Sequence, residues 1–520
     1  MAVLTGRTLI AAMCLGQVGS LLPHVVVPAI MAQHLMPLWD LSAAQAGLMA
    51  SAYAFGYMLA VPVLTTLTDR IDARRVLVAG SAFSGVATAL FGLIADGLWS
   101  ATLIWALAGI GFAGAYMPGL KALSDRLPRG DSSRSITLYT GSFSIGVGLS
   151  FLVSQLVADA AGWPVAFYVA GVGPFVMVVV CLWLAPCKPA PAHGHLLDFR
   201  PVLRNRAALG YILGYGAHCF ELYGMRTWLV AFWTFVVAQS DDSTLVGPIT
   251  VSVIVTLLSL PASILGNEAA LRFGRHRAIS VVMIASAGVA LAIGLNAGSS
   301  SLLLLPLVLI YGVTIPADSG ALTSGTTASA APDYRGATLA LHSTVGFGLS
   351  ALGGWGAGIA LDAAGGPGQP AGWLALFALL AAGVLLGPIA LRWSQRECLG
   401  KLVFPPCLPM RFLGKNAANV TADSEQFRSV PRTCQSMPGI TRPVCRASAL
   451  RRRACHDQPA TPDRGSYHSI CRDALSDWVV LESHSRRHVC SGCILRRNWS
   501  ALVFRDRNRG YCGRARRSEP

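Results

Sequence analysis

Charge is the scarcest property of this sequence. Only 13% of its 520 residues are Asp, Glu, Lys or Arg, about half the share (about 25%) of a soluble domain. A chain so poor in charge and 53% hydrophobic cannot clothe a water-soluble surface, and it reads as a polytopic membrane protein. Paired cysteines are also missing from most of it. Cys14, Cys181, Cys187 and Cys219 show neither disulfide nor metal-ligand spacing and behave as small apolar residues, so no metal and no cofactor are expected. The apolar run 8–31 has no small-x-small cleavage site and exceeds a signal-peptide core, so it is taken as a retained first span.

The formal net charge of +16 would suggest a nucleic-acid partner if it were spread along the chain. It is not: from Arg396 onwards there are 23 Lys+Arg against 10 Asp+Glu, and residues 1–395 are close to balanced. No nucleic-acid partner is expected. The same tail holds the other nine cysteines. It has no helical or strand period and no apolar run of twenty residues. Its Cys490-Ser491-Gly492-Cys493 imitates half a zinc site with no second half. Residues 396–520 are therefore expected to be a disordered tail, read as frame-shifted or unselected sequence.

A membrane helix needs about 20 mainly apolar residues. That ruler gives twelve spans, near 8–31, 44–67, 76–95, 99–121, 136–158 and 164–185, then 208–237, 244–267, 278–296, 301–322, 337–360 and 372–391. With the N-terminus inside, 17 of the 18 Lys and Arg before Arg396 fall at cytoplasmic ends, and the outer loops hold Asp and no Lys or Arg. This is the positive-inside pattern, and it puts both termini in the cytoplasm of a plasma (inner) membrane. The halves repeat: Gly146-Val147-Gly148-Leu149-Ser150 returns 200 residues later as Gly346-Phe347-Gly348-Leu349-Ser350, and Arg70 and Arg75 return as Arg272 and Arg277. The expected fold is all-α: two six-helix bundles, 1–187 and 208–395, joined by a cytoplasmic loop 188–207 and related by a pseudo-two-fold axis along the membrane normal.

One span breaks the apolar rule. The stretch 211–237 carries His218, Glu221 and Arg226. A charge at the bilayer centre costs about 2.5–3.5 kcal/mol on insertion scales, so these groups must face protein or a water-filled cavity. His218 and Glu221, three apart, share a helix face, and Arg226 lies roughly 80° round from His218. They read either as ion pairs to neighbouring helices or as a substrate and proton pathway. His24, Asp318 and His342 are further polar groups within spans. Asp318 could pair with Arg226 or line the pathway with it, His24 is placed near the outer mouth, and His342 is expected on a backbone carbonyl. Trp228 and Trp233 could wall a site or anchor an interface.

The loop after the second span reads Leu67-Thr68-Asp69-Arg70-Ile71-Asp72-Ala73-Arg74-Arg75. Here the sequence resembles the major facilitator superfamily. Asp69, Arg70, Arg74 and Arg75 match that family's loop signature, whereas Thr65 and Asp72-Ala73 replace its glycine positions. The resemblance implies a cytoplasmic gate loop in which Asp69 latches through helix-end contacts. Span four, with Gly109, Gly111 and Ala113, is similar to a family motif, but Trp105 stands where the family has an arginine implied in proton transfer. Coupling is then expected to rest on span seven. The glycines read equally as close helix packing.

The resemblance implies secondary active transport by alternating access and no enzymatic step. The expectation is a monomer in the lipid bilayer that moves a small anionic or zwitterionic organic solute, coupled to protons by symport. Drug or metabolite efflux by proton antiport, and a membrane sensor that does not transport, are the alternatives. The expected pathway residues are His218, Glu221, Arg226, Asp318 and His24: Arg226 for an anionic group, and His218 or Glu221 for the proton.

Overall fold

The computed structural model describes residues 4–127, 132–188, 197–239, 246–331 and 334–403. The cysteine-rich segment expected to be unselected therefore lies, from 404 on, outside the described residues. Helix α16 runs to Val403, past the boundary expected at 395.

The described residues are helical without strands. The first bundle holds α1 (Gly6–Ser20), α2 (Val26–Ile30), α3 (Met36–Trp39), α4 (Ala43–Leu67), α5 (Ala73–Ile94), α6 (Leu98–Ser124), α7 (Ser132–Ala161) and α8 (Trp163–Leu182). The short α9 (Arg200–Arg204) leads into the second bundle. That bundle holds α10 (Arg206–Gln239), α11 (Pro248–Phe273), α12 (Arg275–Leu295), α13 (Ser301–Thr314), α14 (Ser319–Ser329), α15 (Arg335–Ala363) and α16 (Pro370–Val403). Ten of the segments are long and apolar enough to cross a membrane. The two other expected spans are special cases: the first is a broken helix, and the seventh is α10, which carries the ionisable residues.

The breaks have local causes. Pro23 has no N–H to donate and Pro28 follows closely, so the first span turns out of helix at Leu21–Val25 and continues as α2, a π-turn (Met31–Leu35) and α3. Ser150 of α7 stitches the break: its hydroxyl donates to the Leu22 carbonyl at 2.6 Å and accepts from the Val25 amide at 3.3 Å. Pro316 similarly tightens the tenth span into a 3-10 turn (Ile315–Asp318) between α13 and α14. Broken helices inside membranes are tolerated where the freed backbone faces protein or a cavity.

Small residues set the packing. A side chain at Gly56 of α4 would run into the Ala106 carbonyl of α6, and one at Gly109 into the Tyr53 carbonyl. Gly80 and Gly111 do the same between α5 and α6. The glycines of span four thus serve close helix contact, as small interfacial residues do. Trp105 is fully buried in an aromatic cluster with Tyr53, Phe91 and Phe167. Large apolar side chains such as Leu93, Leu103, Val172 and Leu265 point outward, which suits a lipid-facing exterior. The bundles meet along α4 with α15 and along α7 with α11; Tyr57 stacks on Phe347 (3.7 Å between centroids), and Gln155 donates to the Ser252 hydroxyl.

Candidate site between the two bundles

The break in the first span delivers His24 to the interface of the bundles. The ring is caged by Tyr53, Phe112, Phe143 and Tyr223 at 5.3–5.8 Å between centroids, and its Nε2 lies 3.2 Å from the Tyr223 hydroxyl. Across from it α10 presents Tyr223, Arg226 and Thr227. These line a small cavity of about 20 Å³ with His24, Ser51, Tyr53 and Ser350, room for about one water. The Arg226 guanidinium stands 5.6 Å over the Tyr223 ring. No carboxylate of the described residues lies within ion-pair distance of Arg226, and none lines the cavity. The Ser51 and Tyr53 hydroxyls and His24 Nδ1 are buried without a protein partner. The site therefore has one fixed positive charge, several uncommitted polar atoms and aromatic walls.

The other ionisable groups of α10 turn away, into the second bundle. Glu221 Oε1 accepts from the Ser286 hydroxyl at 2.8 Å and the Tyr311 hydroxyl at 3.1 Å, from α12 and α13. His218 Nδ1 lies 2.7 Å from Asp318 Oδ1 in the 3-10 turn, at ion-pair distance though off the line of a good hydrogen bond. Asp318 thus pairs with His218 and not with Arg226. His218 and Glu221 occupy one face, as their spacing implies, but find different neighbours. His342 bonds the Thr326 hydroxyl at 3.2 Å and stacks on Tyr215, in place of the expected backbone carbonyl. Trp228 and Trp233 are core residues, each donating its indole N–H to a backbone carbonyl, Gly354 and Val246 respectively. Among the described residues the only buried Asp, Glu, Lys or Arg are Glu221, Arg226 and Asp318, all in the second bundle.

At the end of the bundles where the loop after α4 lies, Asp69 sits 3.9 Å from Lys121 and close to Gly336, in the first turn of α15. Burial raises its carboxyl pKa, opposed by Lys121 and reinforced by Asp125. Arg70 and Arg75 are exposed. Arg74 donates to the Leu184 carbonyl at the end of α8. The strongest contact belongs to Asp72, one of the residues that departs from the family signature. It caps α5 at the Arg74 amide, accepts from the Cys187 amide and takes two bonds from Arg126, at 2.9 and 3.1 Å. Nothing in the sequence pairs residues 72, 126 and 187, because they meet only once three helix ends converge.

Residues 8–354 match the sequence model of the Major Facilitator Superfamily. The chain belongs to that superfamily. It is 30% identical over 175 residues to a probable chloroplastic anion transporter 4 of Oryza sativa subsp. japonica, covering 33% of this chain and 28% of that one. It is 29% identical over 164 residues to a gallate transporter of Pseudomonas putida, covering 31% and 36%. The chain spans well under half the length of the curated relatives it matches. Among solved structures, an inward-facing, unoccupied bacterial homologue of the lysosomal transporter Spinster aligns with a TM-score of 0.57 at 17% identity, over 74% of this chain and 94% of that one. That likeness shows the shared superfamily fold.

Proposed function

We propose that this superfamily member is a secondary transporter of a small organic anion, taken up across the plasma membrane by alternating access and coupled to protons. The observation that carries the reading is Arg226: a cation in the cavity between the bundles with no acidic partner. Burying a charge is costly unless it is paired, and a negatively charged solute would supply the missing partner. A planar guanidinium suits a carboxylate, with two parallel N–H···O bonds. The uncommitted Ser51 and Tyr53 hydroxyls would bind its remaining polar atoms, and Tyr223 and the aromatic cage of His24 would hold its body. Two relatives named for anion and gallate transport favour the same chemistry.

Glu221 and the His218–Asp318 pair would carry the proton. Glu221 and His218 stand on the helix that holds Arg226 but face into the second bundle, where Asp318 lies in the 3-10 turn, so protonation there would change how α10 packs on its neighbours and thus how it presents Arg226. Trp105 offers no proton site in the first bundle, which concentrates the coupling on α10. The solute, the proton and the lipid bilayer are the partners required, and a monomer suffices.

Flux measurement in proteoliposomes tests this. Small carboxylates, including gallate and benzoate, should enter faster when the outside is more acidic and accumulate above equilibrium. Drug antiport would show the opposite dependence on the gradient. A sensor would bind a carboxylate without flux.

A further inference from the structure

The helix pair α4 and α15 runs antiparallel across the interface of the bundles, and a second aspartate lies at its far end. Asp362 is the penultimate residue of α15. A negative side chain in the last turn of a helix is opposed by that helix's own dipole. Here it is turned onto the start of α4 in the other bundle. Its Oδ1 accepts from the Ala43 amide at 3.0 Å and its Oδ2 from the Ala44 amide at 2.7 Å.

Four amides at the start of a helix have no partner within the helix, and α4 divides them evenly. Ser42 and Gln45 form a capping box and satisfy each other's amides. The amides of Ala43 and Ala44 have only Asp362. Gly358, one turn before Asp362, fits against the Ala43 carbonyl so closely that no side chain could stand there. On the same outer rim Gln33, in the π-turn of the first span, reaches Thr234 of α10 at 3.4 Å.

We propose that Asp362 is the outer latch of the transport cycle, the reciprocal of Asp69. Each aspartate stands at the C-terminal end of one helix of the pair and faces the N-terminal turn of the other. Asp362 holds the outer side closed and Asp69 the cytoplasmic side. In this structure the outer latch is fully made, with two direct bonds. The cytoplasmic one is near contact only, with Asp69 half-exposed and shared with Lys121. Opening the outer side requires both α4 amides to exchange the carboxylate for water. The inference rests on transport by alternating access, but not on the identity of the solute.

Amide hydrogen exchange by mass spectrometry on the full chain, without solute, tests it and does not depend on flux. Asp362→Asn removes the charge while keeping the shape. It should speed exchange in the outer end of α4 (residues 42–50) about tenfold or more, since charged hydrogen bonds are worth about 1.5–3 kcal/mol each. It should also slow exchange at the cytoplasmic end of α15 (335–345), as the population shifts to states closed inside. Asp69→Asn should give the mirror image. Ala43→Pro removes one donated amide with a residue that the first helical turn accepts, and should act in the same direction as Asp362→Asn. Faster exchange at 42–50 with no change at 335–345 would make Asp362 a local cap and overturn the proposal, as would no change at either end.

Discussion

The Asp72–Arg126 contact gives a prediction with a magnitude and a sign. The two side chains are 14% and 6% exposed, and two N···O distances near 3 Å join them. Breaking a buried pair costs about 3–5 kcal/mol, and an exposed pair is worth at most about 1 kcal/mol. After Arg126→Ala, Asp72 keeps the amides of Cys187 and Arg74 and some access to water, while the carbonyls of Ala122 and Ala185 each lose a donor. A loss of about 2–3 kcal/mol lies between the two limits. At about 2–4 °C per kcal/mol for a unit of bundle size, the thermal midpoint of the purified chain should fall by roughly 5–10 °C. Burial pushes the Asp72 carboxyl up, but the Cys187 and Arg74 amides and the Arg126 guanidinium outweigh it and hold the pKa below the usual carboxylate range. With the folded pKa depressed, the stabilisation is complete above the unfolded value and is lost as pH falls through the folded one. The gap between wild type and Arg126→Ala should therefore be widest near neutral pH and close in strong acid. Thermal scans at fixed rate across pH would show this. A gap under about 1 °C, or one that is constant with pH, would refute the reasoning.

Other expectations follow from named contacts. Glu221→Gln keeps the hydrogen bonds from Ser286 and Tyr311 within reach but removes a titrating group; it should preserve solute exchange and abolish accumulation driven by a pH gradient, and normal accumulation would exclude Glu221 from coupling. Gly56→Val places a side chain against the Ala106 backbone and should cost about 1–3 kcal/mol or more by overpacking, read as a lower thermal midpoint; an unchanged midpoint would show that α4 and α6 can part without penalty.

Much of the architecture was legible because membrane burial writes long apolar runs into the sequence. Ten of the spans were readable for that reason. Nothing local says that the first span breaks at Pro23 and is mended by Ser150, or that the turn at Pro316 presents Asp318 to His218. The shared face of His218 and Glu221 followed from spacing, yet Glu221's partners Ser286 and Tyr311 lie 65 and 90 residues away, and His218 meets Asp318 instead. Asp72 and Asp362 were read only as loop residues, because a carboxylate's role at a helix end depends on which other helix end it meets. Ser51, Tyr53 and Thr227 carried no signal, since hydroxyls in a span most often bond their own backbone.

The central claim is that Arg226 binds the solute's negative group. It is most directly tested by equilibrium binding of a small carboxylate and of its neutral amide to wild type and Arg226→Lys, with thermal scans as a folding control. Lysine keeps the charge and loses the planar fork. Losing a charge-assisted bond of about 1.5–3 kcal/mol should raise the Kd for the carboxylate about ten- to a hundredfold, leave the amide's weak binding unchanged, and leave the thermal midpoint near wild type. Unchanged carboxylate affinity in Arg226→Lys and in Arg226→Gln, with both variants folded, would contradict the account.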